Sequence, residues 1–197
     1  MCNVLLVGGG PSNANAPFSA IDFFGGYIGA TNGGLEICNQ SNRVPDWMFL
    51  SDHVAIERHQ ETAKAFIESG AMLITTSERL ELCLDLGLTT AIHYMPRSKA
   101  RHPHNPGDFC RPRYSGLMLM EFVLNVIHPR RLWLAGYDGY QNDALTPSII
   151  QPFVQSCIDT HPGCKLCFMA QPLYHLEGAA IWTEPNTIPT STPCSPT

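Results

Sequence analysis

The chain alternates short apolar runs with stretches in which apolar positions recur at helical spacing. The short runs predict buried strands at Val4–Val7, Tyr27–Thr31, Trp47–Leu50, Met72–Thr75, Ala91–Tyr94, Arg131–Ala135 and Lys165–Met169. Between them, His53–Ser69 sets Ala55, Ala63, Phe66 and Ile67 on one face of a helix. Ser77 is placed to cap a shorter helix, although Leu80 stands where a capping box carries Glu or Gln. Ser115–Ile127 (SGLMLMEFVLNVI) is apolar almost all round, which predicts a buried helix. Strands alternating with helices predict an α/β domain, with a mostly parallel sheet of about seven strands flanked by helices.

Two segments break the alternation. Pro96–Arg113 holds four prolines, five basic residues and two histidines without periodicity, and reads as a long loop. Inside a compact domain such a loop is usually functional or disordered. After Gln171, and above all over Glu184–Thr197, prolines and threonines replace the apolar pattern, so this stretch is expected to be extended or disordered. The predicted organisation is one domain over residues 1–170 and a tail over 171–197.

Composition narrows the function classes. With 197 residues and 44% hydrophobic content the chain can build one full core. A net charge of −5 gives no general attraction to DNA or RNA, though the basic stretch 97–113 leaves a local nucleic-acid contact open. Met1-Cys2-Asn3 lacks the basic start of a signal peptide, the first apolar run stops at Gly8, and no stretch reaches the roughly 20 apolar residues that span a bilayer. A cytoplasmic protein without a membrane partner is therefore expected, with homo-oligomerisation left open. The eight cysteines are scattered, several within apolar runs, and fit reduced core thiols better than a disulfide framework. Cys164-x-x-Cys167 falls in a strand-like run that sends its side chains to opposite faces, and His102, His104 and Cys110 lack a fourth ligand. No metal site is expected.

Parallel sheets bind ligands at the carboxyl ends of their strands, so the residues after each strand are the candidate site. The first strand is followed by Gly8, Gly9, Gly10, Pro11 and Ser12, and the second by Asn32, Gly33 and Gly34. Ser51, Asp52 and His53 follow the third, and Gly136–Asp143 (GYDGYQND) the sixth. The first loop is neither GxGxxG, whose last glycine would fall on Asn13, nor a P-loop, since no Gly-Lys-Ser/Thr follows. A glycine pair or an Asn after a strand can also be a plain turn. Taken together, these amide, hydroxyl, acidic and glycine positions suit a ribose, a base edge and a diphosphate.

The blocks VLLVGGGPS, YIGATN, DWMFLSD and YSGLMLMEFVLNVIHPRRLWLAGYDGYQND resemble the bacterial sialyltransferases built on a single Rossmann-like domain. That resemblance covers about Met1–Met169 and is most specific in the last block. GGGPS and VPDWMFLSDHVA also resemble the 6-hydroxymethylpterin pyrophosphokinase-like proteins. The first resemblance implies a Rossmann-like, nucleotide-sugar-dependent glycosyltransferase needing no cofactor, with a nucleotide or nucleotide-sugar as partner and an unknown acceptor. It also implies that Gly8, Gly10, Pro11 and Ser12 line the phosphate, and that Asn32 with Ser51 or Asp52 meets the sugar. Ser115 and Gly116 would offer a hydroxyl and N–H groups at a helix start, Gly136 and Asp138 would lie in the nucleotide-binding loop, and Tyr140 would hold the departing phosphate.

The sialyltransferases place a catalytic histidine in the lid after Gly-x-Asp-x-Tyr, whereas Asp143–Ile150 contains none. The candidate bases here are His102 and His104, then Asp52 or His53. The pyrophosphokinase alternative would use Mg2+ on Asp52 and Asp138. A further alternative is a nucleotide-sequestering protein that has lost its base.

Overall fold

The computed structural model describes residues 2–10, 21, 24–89, 91–93, 100–102, 105–110, 114–137, 150–170, 172 and 175–181, with backbone alone for 91–93, 100–102, 105–110, 180 and 181. Its strands are β1 (Asn3–Val7), β2 (Tyr27–Thr31), β3 (Trp47–Phe49), β4 (Met72–Thr75), β5 (Ala91–His93), β6 (Ala100–His102), β7 (Asn105–Cys110), β8 (Arg131–Ala135), β9 (Lys165–Phe168) and β10 (Ala180–Ile181). Its helices are α1 (Gly33–Gln40), α2 (His53–Arg58), α3 (Gln60–Glu68), α4 (Leu80–Asp85), α5 (Ser115–Phe122) and α6 (Gln151–Thr160). A π-helical turn, Val123–Ile127, prolongs α5.

The main sheet is parallel throughout, in the order β10-β9-β8-β1-β2-β3-β4-β5. Six strands with described side chains (β1, β2, β3, β4, β8 and β9) form its body, and short β5 and β10 extend its edges. The expected count of about seven is corrected accordingly: Ala180–Ile181 pairs with β9 from within the segment read as a tail. Leu176, from that same segment, is buried in the core. The remainder from 182 lies outside the described residues.

β1 occupies the middle of the sheet because it is apolar on both faces. Val4 and Leu6 pack with α5 and α6, while Leu5 and Val7 pack with α1, α2 and α3. Alternate β3 residues divide likewise, Trp47 and Phe49 to one face, Met48 and Leu50 to the other. Each such side chain, fully buried, contributes roughly 1.5–3 kcal/mol. The chain steps outward from β1 through β2 to β5, then returns to the opposite side of β1 at β8. With right-handed crossovers, this reversal puts the helices of the two halves on opposite faces.

Three expectations change in detail. The helix read over His53–Ser69 is divided at His59 (φ −100, ψ 11), whose side chain is buried against Glu36 of α1. The long loop 96–113 includes an antiparallel hairpin, β6 with β7, which its prolines and lack of alternation concealed. Ser77–Arg79 is a 3-10 turn leading into α4, with Thr76 before it making no side-chain cap. Among the described residues, no helix is long and apolar enough to cross a membrane. The six described cysteines that carry side chains are unbridged, and burial pushes the thiols of Cys38 and Cys157 up to about 12.

Candidate functional site

The strand order reverses between β1 and β8, and the crevice beyond their carboxyl ends is where such sheets hold ligands. A cavity of about 480 Å³ lies there. Its floor is made by the two loops. Gly8 N–H donates to Ala135 O (2.8 Å) and Gly10 N–H to Gly136 O (2.9 Å), binding the β1 loop to the β8 loop. Gly136 turns at φ 67, which brings the next residue, Tyr137, back beneath the cavity. A Cβ on Gly8 would lie 2.6 Å from Gly136 O and 3.1 Å from the Tyr137 ring, so this glycine serves loop packing. Tyr137 O–H donates to Gly116 O at 3.1 Å, and its ring leaves no slack for a Cβ on Gly116.

Two helices begin at this cavity without side-chain caps. Asn32 precedes α1 and Tyr114 precedes α5, and neither side chain bonds the first turn. First-turn N–H groups have no acceptor within their helix, so Gly33 on one side and Ser115, Gly116 and Leu117 on the other bring donors to the cavity wall. Both helix starts also carry partial positive charge. Asn32 adopts φ 43 and ψ −115, a conformation that side-chain-bearing residues rarely adopt, and its Oδ1 is enclosed with no hydrogen-bond partner. Such a group costs free energy unless something donates to it.

Among the described residues, the charged groups of the cavity are Arg58 and Asp52. Arg58, from the last turn of α2, has no ion-pair partner among the described residues. Asp52 caps α2, with one carboxylate oxygen accepting the Ala55 N–H at 3.0 Å. Beside Arg58, His59 is buried, and that burial chiefly, with Arg58 adding, holds its pKa below the ordinary 6.5 against the opposing pull of Glu36. Ser115, only 4% exposed, shares a 2.7 Å hydrogen bond with Ser51 at the end of β3. Arg79 Nε donates to Ser51 O at 3.3 Å and Thr75 Oγ1 to Leu50 O at 2.6 Å, fixing that strand end.

Of the residues singled out from the sequence, Gly8, Gly10, Gly116 and Gly136 line this cavity, as do Asn32, Asp52 and Ser115. Ser51 reaches it through Ser115. His53 instead pairs with Glu57 at 3.2 Å on the outer surface of α2. Pro11, Ser12, His104, Asp138 and Tyr140 lie outside the described residues, and His102 is described only as backbone in β6. The lining also includes Gly9, Gly33 and Tyr137, which fall within the strand-end stretches read from the sequence, and Thr31 and Arg58, which sequence reading did not select. Thr31 sits at a strand end and was open to the same argument that found Asn32. Arg58 lies a full helix beyond its strand, and no local pattern marks it.

No family model matches this chain, and no curated protein matches it. Among solved structures, it is similar to the MAf glycosyltransferase from Magnetospirillum magneticum AMB-1, with 16% identity and a TM-score of 0.64. The likeness covers 92% of this chain but 33% of that protein, so the chain spans about a third of its length. Neither the sialyltransferase nor the pyrophosphokinase resemblance gains support from these comparisons. What they establish is the architecture: a parallel α/β fold shared with part of a glycosyltransferase.

Proposed function

We propose that the chain is a glycosyltransferase that binds a nucleotide-linked sugar between the ends of β1 and β8. The observation that carries this reading is the convergence on one cavity of two uncapped helix starts and of Arg58, which has no ion-pair partner among the described residues. That donor set suits a phosphate, because N–H groups and a guanidinium meet negative charge without rearrangement. Asn32 Oδ1 asks for the opposite, a hydroxyl or amino donor. A nucleotide offers both, as phosphate oxygens and as ribose or base donors. The fold shared with a glycosyltransferase supports the choice of reaction.

In the mechanism, the sugar–phosphate bond breaks as the acceptor hydroxyl attacks, and charge grows on the departing phosphate. Helix-start N–H groups, Ser115 and Arg58 stabilise that charge most when it is fully developed, which lowers the barrier. Tyr140 is proposed as a further hydroxyl on the leaving phosphate. His102, in β6, or His104, two positions on in the sequence, is proposed as the base that takes the acceptor proton.

Thermal-shift screening with CMP, CDP, UDP, GDP, ADP and ATP, each with and without Mg2+, tests the reading. Stabilisation by a pyrimidine nucleotide without Mg2+, followed by release of that nucleotide when its sugar conjugate and acceptors are supplied, is the expected result. A shift confined to ATP with Mg2+ would replace it by pyrophosphoryl transfer. Tight binding of an intact conjugate without turnover would replace it by sequestration.

A further inference from the structure

We infer that Ser51 and Ser115 form a two-hydroxyl relay presenting one directed O–H donor to an anionic oxygen of the ligand, with Ser51 as the positioning residue. The inference rests on the proposed nucleotide site. Each serine hydroxyl carries one proton and two acceptor positions. At 2.7 Å the two oxygens are at the usual separation of a formed O–H···O bond, which uses one of the two protons. Among the described residues the second proton has no acceptor.

Position decides where that proton goes. Ser115 is on the cavity wall and nearly fully buried, whereas Ser51, half-buried just beyond the end of β3, is not among the lining residues. If Ser115 donated backward to Ser51, an anion in the cavity would face its lone pairs and be repelled. If Ser51 donates forward, Ser115 is free to donate into the cavity, beside the N–H groups of its own helix start. An anion therefore selects the forward direction, and each bond then polarises the next. The arrangement holds still because Arg79 and Thr75 bind the backbone carbonyls of Ser51 and Leu50. Ser51 thus acts on a ligand through Ser115, by fixing the direction of its neighbour's proton.

Calorimetry with CDP, UDP, GDP and ADP, each run beside its unphosphorylated nucleoside, tests the relay. For the tightest diphosphate, Ser51→Ala is expected to raise Kd about three- to tenfold and Ser115→Ala about tenfold, with the double variant no weaker than Ser115→Ala alone. Ser51→Thr, which keeps the hydroxyl, should return Kd to within about twofold of the parent, and nucleoside affinity should not respond to any of these changes. Ser115→Gly replaces Ser115→Ala in the cycle if the latter does not fold. Parent-like diphosphate affinity in Ser51→Ala, additive losses in the double variant, or equal losses for the nucleoside would each overturn the relay while leaving the nucleotide site standing. Failure of the parent protein to bind CMP or any of the four diphosphates would overturn both.

Discussion

Asn32 combines two costs that a soluble domain normally avoids: a backbone at φ 43, ψ −115 and an enclosed, unpartnered Oδ1. The first costs about 1–3 kcal/mol in a residue with a side chain. The second costs about 1–3 kcal/mol through lost solvation. Asn32→Gly removes both, and gives back about 0.5–1 kcal/mol because glycine gains freedom in the unfolded chain. The net expectation is a stabilisation of about 3 kcal/mol, or a rise of about 6–12 °C in Tm for a domain of this size. Asn32→Ala relieves only the unpaired oxygen, so the gap between the two variants reports the backbone strain less the unfolded-state freedom of glycine. In the same two proteins, affinity for the tightest nucleoside diphosphate should fall about three- to tenfold, since the ligand loses an acceptor. Scanning calorimetry and isothermal titration on both variants measure the two quantities. Lower Tm in Asn32→Gly would refute the strain argument. Parent-like affinity in both variants would show that Oδ1 does not meet the ligand.

Arg58→Gln should weaken nucleotide binding and flatten its dependence on salt, because the guanidinium is the cation that lines the cavity among the described residues; titrations at low and high ionic strength check this. His59 has a folded pKa depressed below 6.5, so its contribution to stability is full above that value and is lost as pH falls through the folded pKa. Urea midpoints at neutral pH and in mild acid should therefore diverge in the parent protein and converge in His59→Gln; an unchanged divergence would assign the acid sensitivity elsewhere.

Strand identity was legible in the sequence because strands buried on both faces read as continuous apolar runs, and β1, β2, β3, β4, β8 and β9 all sit where such runs fall. Asn32 and Gly136 were legible as candidates for the same reason: once a strand end is placed, the residue after it is placed too; Ser115, at a helix start, was a candidate through the resemblance of its block. Strand order was not legible, since apolar runs carry no record of their neighbours. Only packing revealed that β8 lies against β1 and so creates the crevice. The hairpin within 96–113 was hidden because its backbone pairing leaves no alternation in a proline-rich stretch. The sequence did not record that the N–H groups of Gly8 and Gly10 are committed to Ala135 O at the end of β8 and to Gly136 O beyond it; that pairing came from the tertiary contacts. Arg58 and the Ser51–Ser115 bond depend on residues brought together from separate elements, with Ser51 and Ser115 64 positions apart. A local pattern records what a residue does to its neighbours in the chain; which donors converge on one cavity is decided by the crossovers that stack the strands.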